Sequence, residues 1–172
     1  MQLIFKAFID IFLLRRGPED IPKSSLLLAM AIGASILVSF LFYVIVESDY
    51  ETDLFLEFAS ELVKIVSFVG VLLLFGLVRR IMQTITAIIA CNVILGLILI
   101  AMLTVSQPFM NKELDASLAW LATFWLILVE GHIISRAVQL HWITGIAIAI
   151  VISILQLGFY FTFADFPETA VG

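Results

Sequence analysis

Long apolar stretches separated by short polar breaks dominate the chain. The apolar cores fall at about residues 26–46, 59–78, 84–105, 118–134 and 142–163. Each holds roughly 17 to 22 residues, which at about 1.5 Å per residue matches a hydrocarbon layer of about 30 Å. The pattern predicts an all-α polytopic membrane protein with five transmembrane helices. Helices are the spanning form that satisfies its own backbone hydrogen bonds inside one segment.

The first sixteen residues carry a different pattern. In "MQLIFKAFIDIFLLRR", Gln2, Lys6 and Asp10 recur at helical spacing on one side, and Leu3, Ile4, Phe5, Phe8, Ile9, Phe12 and Leu13 cover the rest. Lys6 and Asp10 interrupt the apolar core that a signal peptide needs, and they make a crossing costly. Residues 1–16 are therefore expected as an interfacial amphipathic helix that also docks on its neighbours. Residues 17–25, "GPEDIPKSS", form a connector. Gly17-Pro18 is expected to end the first helix, Pro22 to hold Ile21 extended, and Ser24 or Ser25 to cap the next helix. Residues 164–172 form a short outer tail.

Composition supports lipid as the solvent. Of 172 residues, 63% are hydrophobic and 13% charged, against about 25% charged in an ordinary soluble domain. The net charge of −5 acquires meaning once five crossings divide it between two faces. Lys6, Arg15, Arg16, Lys23, Arg79, Arg80 and Arg136 fall on one side. Lys112 and most of the acids, Glu47, Asp49, Glu51, Asp53, Glu57, Glu113, Asp115, Asp165 and Glu168, fall on the other. Basic short loops mark the cytoplasmic face, which places the N-terminus inside and the C-terminus outside. Arg15, Arg16, Arg79, Arg80 and Arg136 become candidate contacts for lipid headgroups.

Within the spans, Lys64, Asn92, Glu130 and Gln156 form a candidate intramembrane polar network. Glu61 and Lys64 are spaced for an ion pair near the outer surface, with Lys64 snorkelling outward and Gln156 at a similar depth. Glu130 lies roughly 9 Å below Arg136, at a depth that suggests Asn92 as its partner. Gln83, Thr84 and Thr86 suit a helix cap or headgroup contacts. Gly33, Gly70, Gly76, Gly96, Gly131, Gly145 and Gly158 suit close helix approach. The short "RAVQLH" break makes the last two crossings neighbours.

The segment "LVEGHIISRAVQLHW" concentrates Glu130, His132, Arg136 and His141. His132 and Arg136 share a helical face, but Glu130 and His132 diverge, and the two-histidine zinc-helix spacing is missing. Cys91 lies alone in an apolar run, without a partner for a disulfide. With no Ser-His-Asp set and no phosphate loop, an enzyme is not expected, nor is a catalytic residue, bound metal, cofactor or nucleic-acid partner.

The stretches "RRGPEDIPKSS", "RRIMQTITAIIACNVILG" and "VEGHIISRAVQLHWITGI", with the order of features from Phe12 to Phe163, resemble the Yip1-type membrane domain family. The likeness is to its small bacterial inner-membrane group. The resemblance implies a cytosolic N-terminal segment, five spans, a periplasmic C-terminus and a bacterial inner-membrane location. It supplies no catalytic residue. The expected function is a non-enzymatic scaffold or accessory protein acting through helix–helix or lipid contacts, with another membrane protein or a second copy as partner. The alternatives are a small oligomeric transporter or channel, and a lipid-linked membrane-organising protein.

Overall fold

A computed structural model describes residues 2–45, 54–106 and 112–164. Six α-helices follow one another: α1 Gln2–Phe12, α2 Ser25–Ile45, α3 Leu54–Leu74, α4 Ile81–Ser106, α5 Lys112–Val138 and α6 Trp142–Phe163. Short 3-10 turns at Pro18–Asp20 and Val78–Arg80 join α1 to α2 and α3 to α4. Among the described residues, four helical segments are long and apolar enough to cross a membrane: Ser25–Ile45, Val78–Val105, Ser117–Val138 and Trp142–Phe163. Helix α3 matches α2 in length but carries Glu57, Glu61 and Lys64. The acidic linker between α2 and α3 and the outer tail lie outside the described residues.

Backbone turns set several helix ends where hydropathy did not. Helix α1 stops at Phe12 because Leu14 turns left-handed (φ 61°). The Leu14 amide then donates to the Ile11 carbonyl (2.9 Å) and the Arg15 amide to the Asp10 carbonyl (2.8 Å), the paired bonds that close a helix C-terminus. Gly17-Pro18 is thus not the stop; it opens the following 3-10 turn. Helix α3 ends at Leu74, not near residue 78, because Gly76 takes φ +70°. The Gly76 amide donates to Leu73 and the Leu77 amide to Leu72. Half of the expected outer loop "SQPFMNKELDAS" is helical, since α5 begins at Lys112. Ser24 caps α2, accepting from the Leu27 amide at 3.3 Å, and Ile21 is extended ahead of Pro22 (φ −89°, ψ 133°).

Helices α3, α4, α5 and α6 form a ring in which each packs on two neighbours, while α2 lies outside against α4. The shared core includes Phe68 and Leu72 of α3, Ile85 and Ile88 of α4, Val129 and Ile133 of α5, and Ala149 and Ile152 of α6. Helix α1 lays Ala7 and Ile11 against α4 and α5, with Ile11 fully buried and Lys6 left exposed. The α5–α6 contact is the closest. A Cβ at Gly131 would lie 2.6 Å from the Ile146 Cα, and one at Gly145 would run into the Gly131 carbonyl oxygen. Gly33, Gly70 and Gly158 face open space and mediate no such approach. Large apolar side chains cover the outward faces, among them Ile36 and Phe40 of α2 and Ile154 and Phe161 of α6. That surface belongs against acyl chains, and the molecule has the build of a multi-pass membrane protein.

Candidate intramembrane polar site

Lys64 stands midway between Leu54 and Leu74, roughly 15 Å from either end of α3. The side chain is buried, with its ammonium 2.9 Å from Glu61 Oε2 and 3.2 Å from Glu130 Oε1. Glu61 is the hub. Its Oε1 accepts a hydrogen bond from the Asn92 amide (3.0 Å) and its Oε2 one from the Gln156 amide (3.3 Å). One cation and two carboxylates thus tie together all four helices of the ring. The Glu61 and Lys64 pairing follows from their i,i+3 spacing on α3. The remaining contacts come from α4, α5 and α6 facing α3, which spacing within one helix does not give.

All four residues of the candidate network meet here, but their pairings differ from those expected. The expected Glu61–Lys64 pair is present, but Lys64 does not snorkel outward; its ammonium also reaches Glu130 across the bundle. Asn92 bonds to Glu61 and not to Glu130, and Gln156 likewise reaches Glu61. The cause is reach. A lysine side chain spans most of a helical turn, so a group one turn deeper on a neighbouring helix lies within its range. Glu61 was visible in sequence only as a partner of Lys64, although the run Glu57, Glu61, Lys64 marks a single helical face. Two acceptors remain unsatisfied: Asn92 Oδ1 and Glu130 Oε1 have no hydrogen-bond donor. The Glu130 contact with Lys64 is an ion pair by distance, without hydrogen-bond alignment.

Two cavities flank the network. One, of about 280 Å³, lies among α2, α3 and α4 and reaches Ser35, Glu57, Glu61 and Asn92. The other, of about 630 Å³, lies among α3, α5 and α6 and reaches Glu130, Thr123, Ser153 and Tyr160. Ser60, Lys64, Leu126 and Gln156 line both and form the partition.

The opposite end of the bundle carries the arginines. Arg136 pairs with Glu19 at 2.8 Å, Arg16 with Asp10 at 3.3 Å, and Arg80 donates to the Ala137 carbonyl at 2.7 Å. His132 bonds to the Arg16 carbonyl at 3.0 Å, so His132 and Arg136 both hold the connector. Arg16 and Arg136 keep about half of their side-chain surface exposed (50% and 55%), and Arg15 and Arg79 are exposed as well. Gln83 does not cap a helix: its amide donates to the Ile21 carbonyl. Thr84 and Thr86 are buried, their hydroxyls donating to the Arg80 and Met82 carbonyls.

Among the described residues, no three His, Cys, Asp or Glu side chains gather in a way that would hold a metal ion. Cys91 is buried and free. The chemistry at hand is therefore charge pairing in a low-dielectric interior, beside a roomy cavity. Comparison with family models, with curated proteins and with solved structures gives no match to this chain.

Proposed function

We propose that the chain is a non-enzymatic, multi-pass protein of a bacterial inner membrane, acting as a scaffold or accessory subunit through helix contacts. In this reading α3 is a fifth crossing, α1 lies in the cytoplasmic interface, the N-terminus is cytoplasmic and the C-terminus periplasmic. Kinship with the Yip1-type family belongs to the same proposal and rests on the sequence stretches alone. One observation carries the functional reading: the intramembrane charges of α3 and α5 are directed at each other. Lys64, Glu61 and Glu130 lock one arrangement of the ring, which leaves the apolar faces of α2 and α6 for a membrane partner or a second copy. Registry of this kind is the best-attested use of a buried ion pair.

Photo-crosslinking in native membranes tests the proposal, with the reactive group placed at Ile36 or Ile154. A discrete protein adduct from either site is the expected result. Adducts to lipid alone would remove the scaffold reading. A transport role is the second reading, favoured by the 630 Å³ cavity beside Glu130. A solute or ion flux in liposomes that disappears in Glu130→Gln, with folding intact, would put transport first.

A further inference from the structure

Three of the segments able to cross a membrane have an end at the arginine-bearing face of the bundle. Val78 starts one, Val138 closes the next and Trp142 starts the third. Between these ends lies a cavity of about 360 Å³, walled by Glu19, Arg80, Ser135, Arg136, Gln139 and Leu140. Where spans end, hydrocarbon gives way to lipid headgroups. Val78 and Trp142, each two residues from a wall residue, are apolar and largely exposed (62% and 57%). The polar cavity and lipid-facing side chains are thus found at one depth.

One charge in this wall has no counter-ion. Glu19 is held by Arg136 at 2.8 Å, and Asp10, outside the wall, is held by Arg16. Arg80 donates to a neutral group, the Ala137 carbonyl at 2.7 Å. Among the described residues, no carboxylate lies within ion-pair distance of Arg80. Its side chain is partly buried, whereas Arg15 and Arg79 are exposed to solvent. The bond to Ala137 fixes the guanidinium between α4 and α5 and leaves its other N–H groups for an acceptor. Gln139 adds an amide that has no hydrogen-bond partner among the described residues. The wall therefore lacks an anion, and a guanidinium fork suits the oxygens of a phosphate.

We infer that this cavity binds the phosphodiester of one anionic phospholipid, with Arg80 as its charge partner and Gln139 as a further donor. The expectation of headgroup contacts spread over five arginines narrows to a single site. A lipid with one net negative charge matches the one unpaired guanidinium. A zwitterionic lipid would bring an ammonium beside Arg80 and Arg136 and is disfavoured. A free phosphodiester carries the same anion, but the depth of the site and the exposed Trp142 and Val78 favour the lipid. The inference goes beyond the scaffold reading and does not depend on it, since it needs only that these helices cross a membrane.

Native mass spectrometry of the full chain tests it, in detergent micelles holding equal amounts of phosphatidylglycerol and phosphatidylethanolamine with the same acyl chains. One tightly retained phosphatidylglycerol per chain is expected. Arg80→Gln should weaken that binding by about tenfold, the scale of one charge-assisted hydrogen bond. Gln139→Glu leaves both arginines and their tethers in place and adds a carboxylate to the wall. It should also remove the preference, even where Arg80→Gln fails to fold. Lys23 is exposed at the same end of the bundle and is not part of the wall, so Lys23→Gln should keep the bound lipid. Equal retention of the two lipids, or unchanged binding in folded Arg80→Gln or folded Gln139→Glu, would overturn the inference. An equal loss in Lys23→Gln would replace the site with a diffuse basic surface. Displacement by an equal concentration of glycerophosphoglycerol, the same headgroup without acyl chains, would overturn the lipid as its source.

Discussion

Lys64 compensates two carboxylates of unequal exposure: the Glu61 side chain is 32% exposed and that of Glu130 1%. Lys64→Met should therefore act mainly through Glu130, which would be left as a buried, unpaired charge at a cost of about 3–5 kcal/mol. Adding Glu130→Leu removes that charge, and Glu61 still reaches solvent, so the double variant should recover most of the loss. Unfolding by a denaturing detergent in mixed micelles reads both, and additive losses would show that the two residues act independently. Gly131→Leu should also destabilise, by a different route, since its Cβ would strike the α6 backbone. Overpacking of this kind costs about 1–3 kcal/mol, and with backbone as the obstacle the upper end is expected in the same assay. The four polar positions were legible in sequence because an ionisable or amide side chain inside an apolar run is conspicuous. Apart from the Glu61–Lys64 pair, their partners were not. Depth can be counted from the nearest arginine, but the rotation of each helix about its axis cannot, and that rotation decides that Glu130 faces Lys64.

Helix ends divide into those with a residue signature and those without. Gly76 is a glycine at positive φ, yet it sits inside the apolar run "LLLFGLV", so hydropathy carried the expected crossing past it. Leu14 (φ 61°) and Gln139 (φ 62°) adopt the same left-handed turn without glycine or asparagine to announce it. That conformation costs an L-residue roughly 1–2 kcal/mol. The two sites should respond oppositely to glycine. Gln139 is exposed, so Gln139→Gly relieves the backbone and loses no packing, for an expected gain of about 0.5–1 kcal/mol. Leu14 packs against the core beneath α1, so Leu14→Gly sacrifices burial of about 1.5–3 kcal/mol and should come out destabilising. Thermal melts of the pair in one detergent check the sign of each. A loss in Gln139→Gly would mean that its side chain holds the α5–α6 turn. The other ends, Ser24 at α2 and His141 at α6, used side chains whose capping chemistry is local. Ser24 was readable as a cap for that reason, while His141 looked like one more loop residue.

At the scale of the whole molecule, the question is whether α3 crosses the bilayer. Four crossings return the C-terminus to the side of the N-terminus, and five send it across. Considered alone, α3 is a poor span, because Glu57, Glu61 and Lys64 share its outer half and centre. In the ring its two deepest charges are paired, and its lower half, with Phe68 and Leu72, is among the most buried surface of the protein. The cost of inserting α3 is therefore offset only after α5 supplies Glu130, which lies more than sixty residues further along the chain. Dual-reporter fusions after α2, after α3 and at the C-terminus should report outside, inside and outside in the full-length protein. A C-terminus on the cytoplasmic side would refute the five-crossing topology. Truncation after α3 adds a sharper condition: with α5 absent, a sizeable fraction of the reporter after α3 should remain outside. Replacing Lys64 with leucine and Glu61 with glutamine in that truncated chain should restore the inside signal. Insertion that is complete from the start would show instead that α3 enters on its own hydropathy, and that the Lys64–Glu130 pair acts only on the packing of the finished bundle.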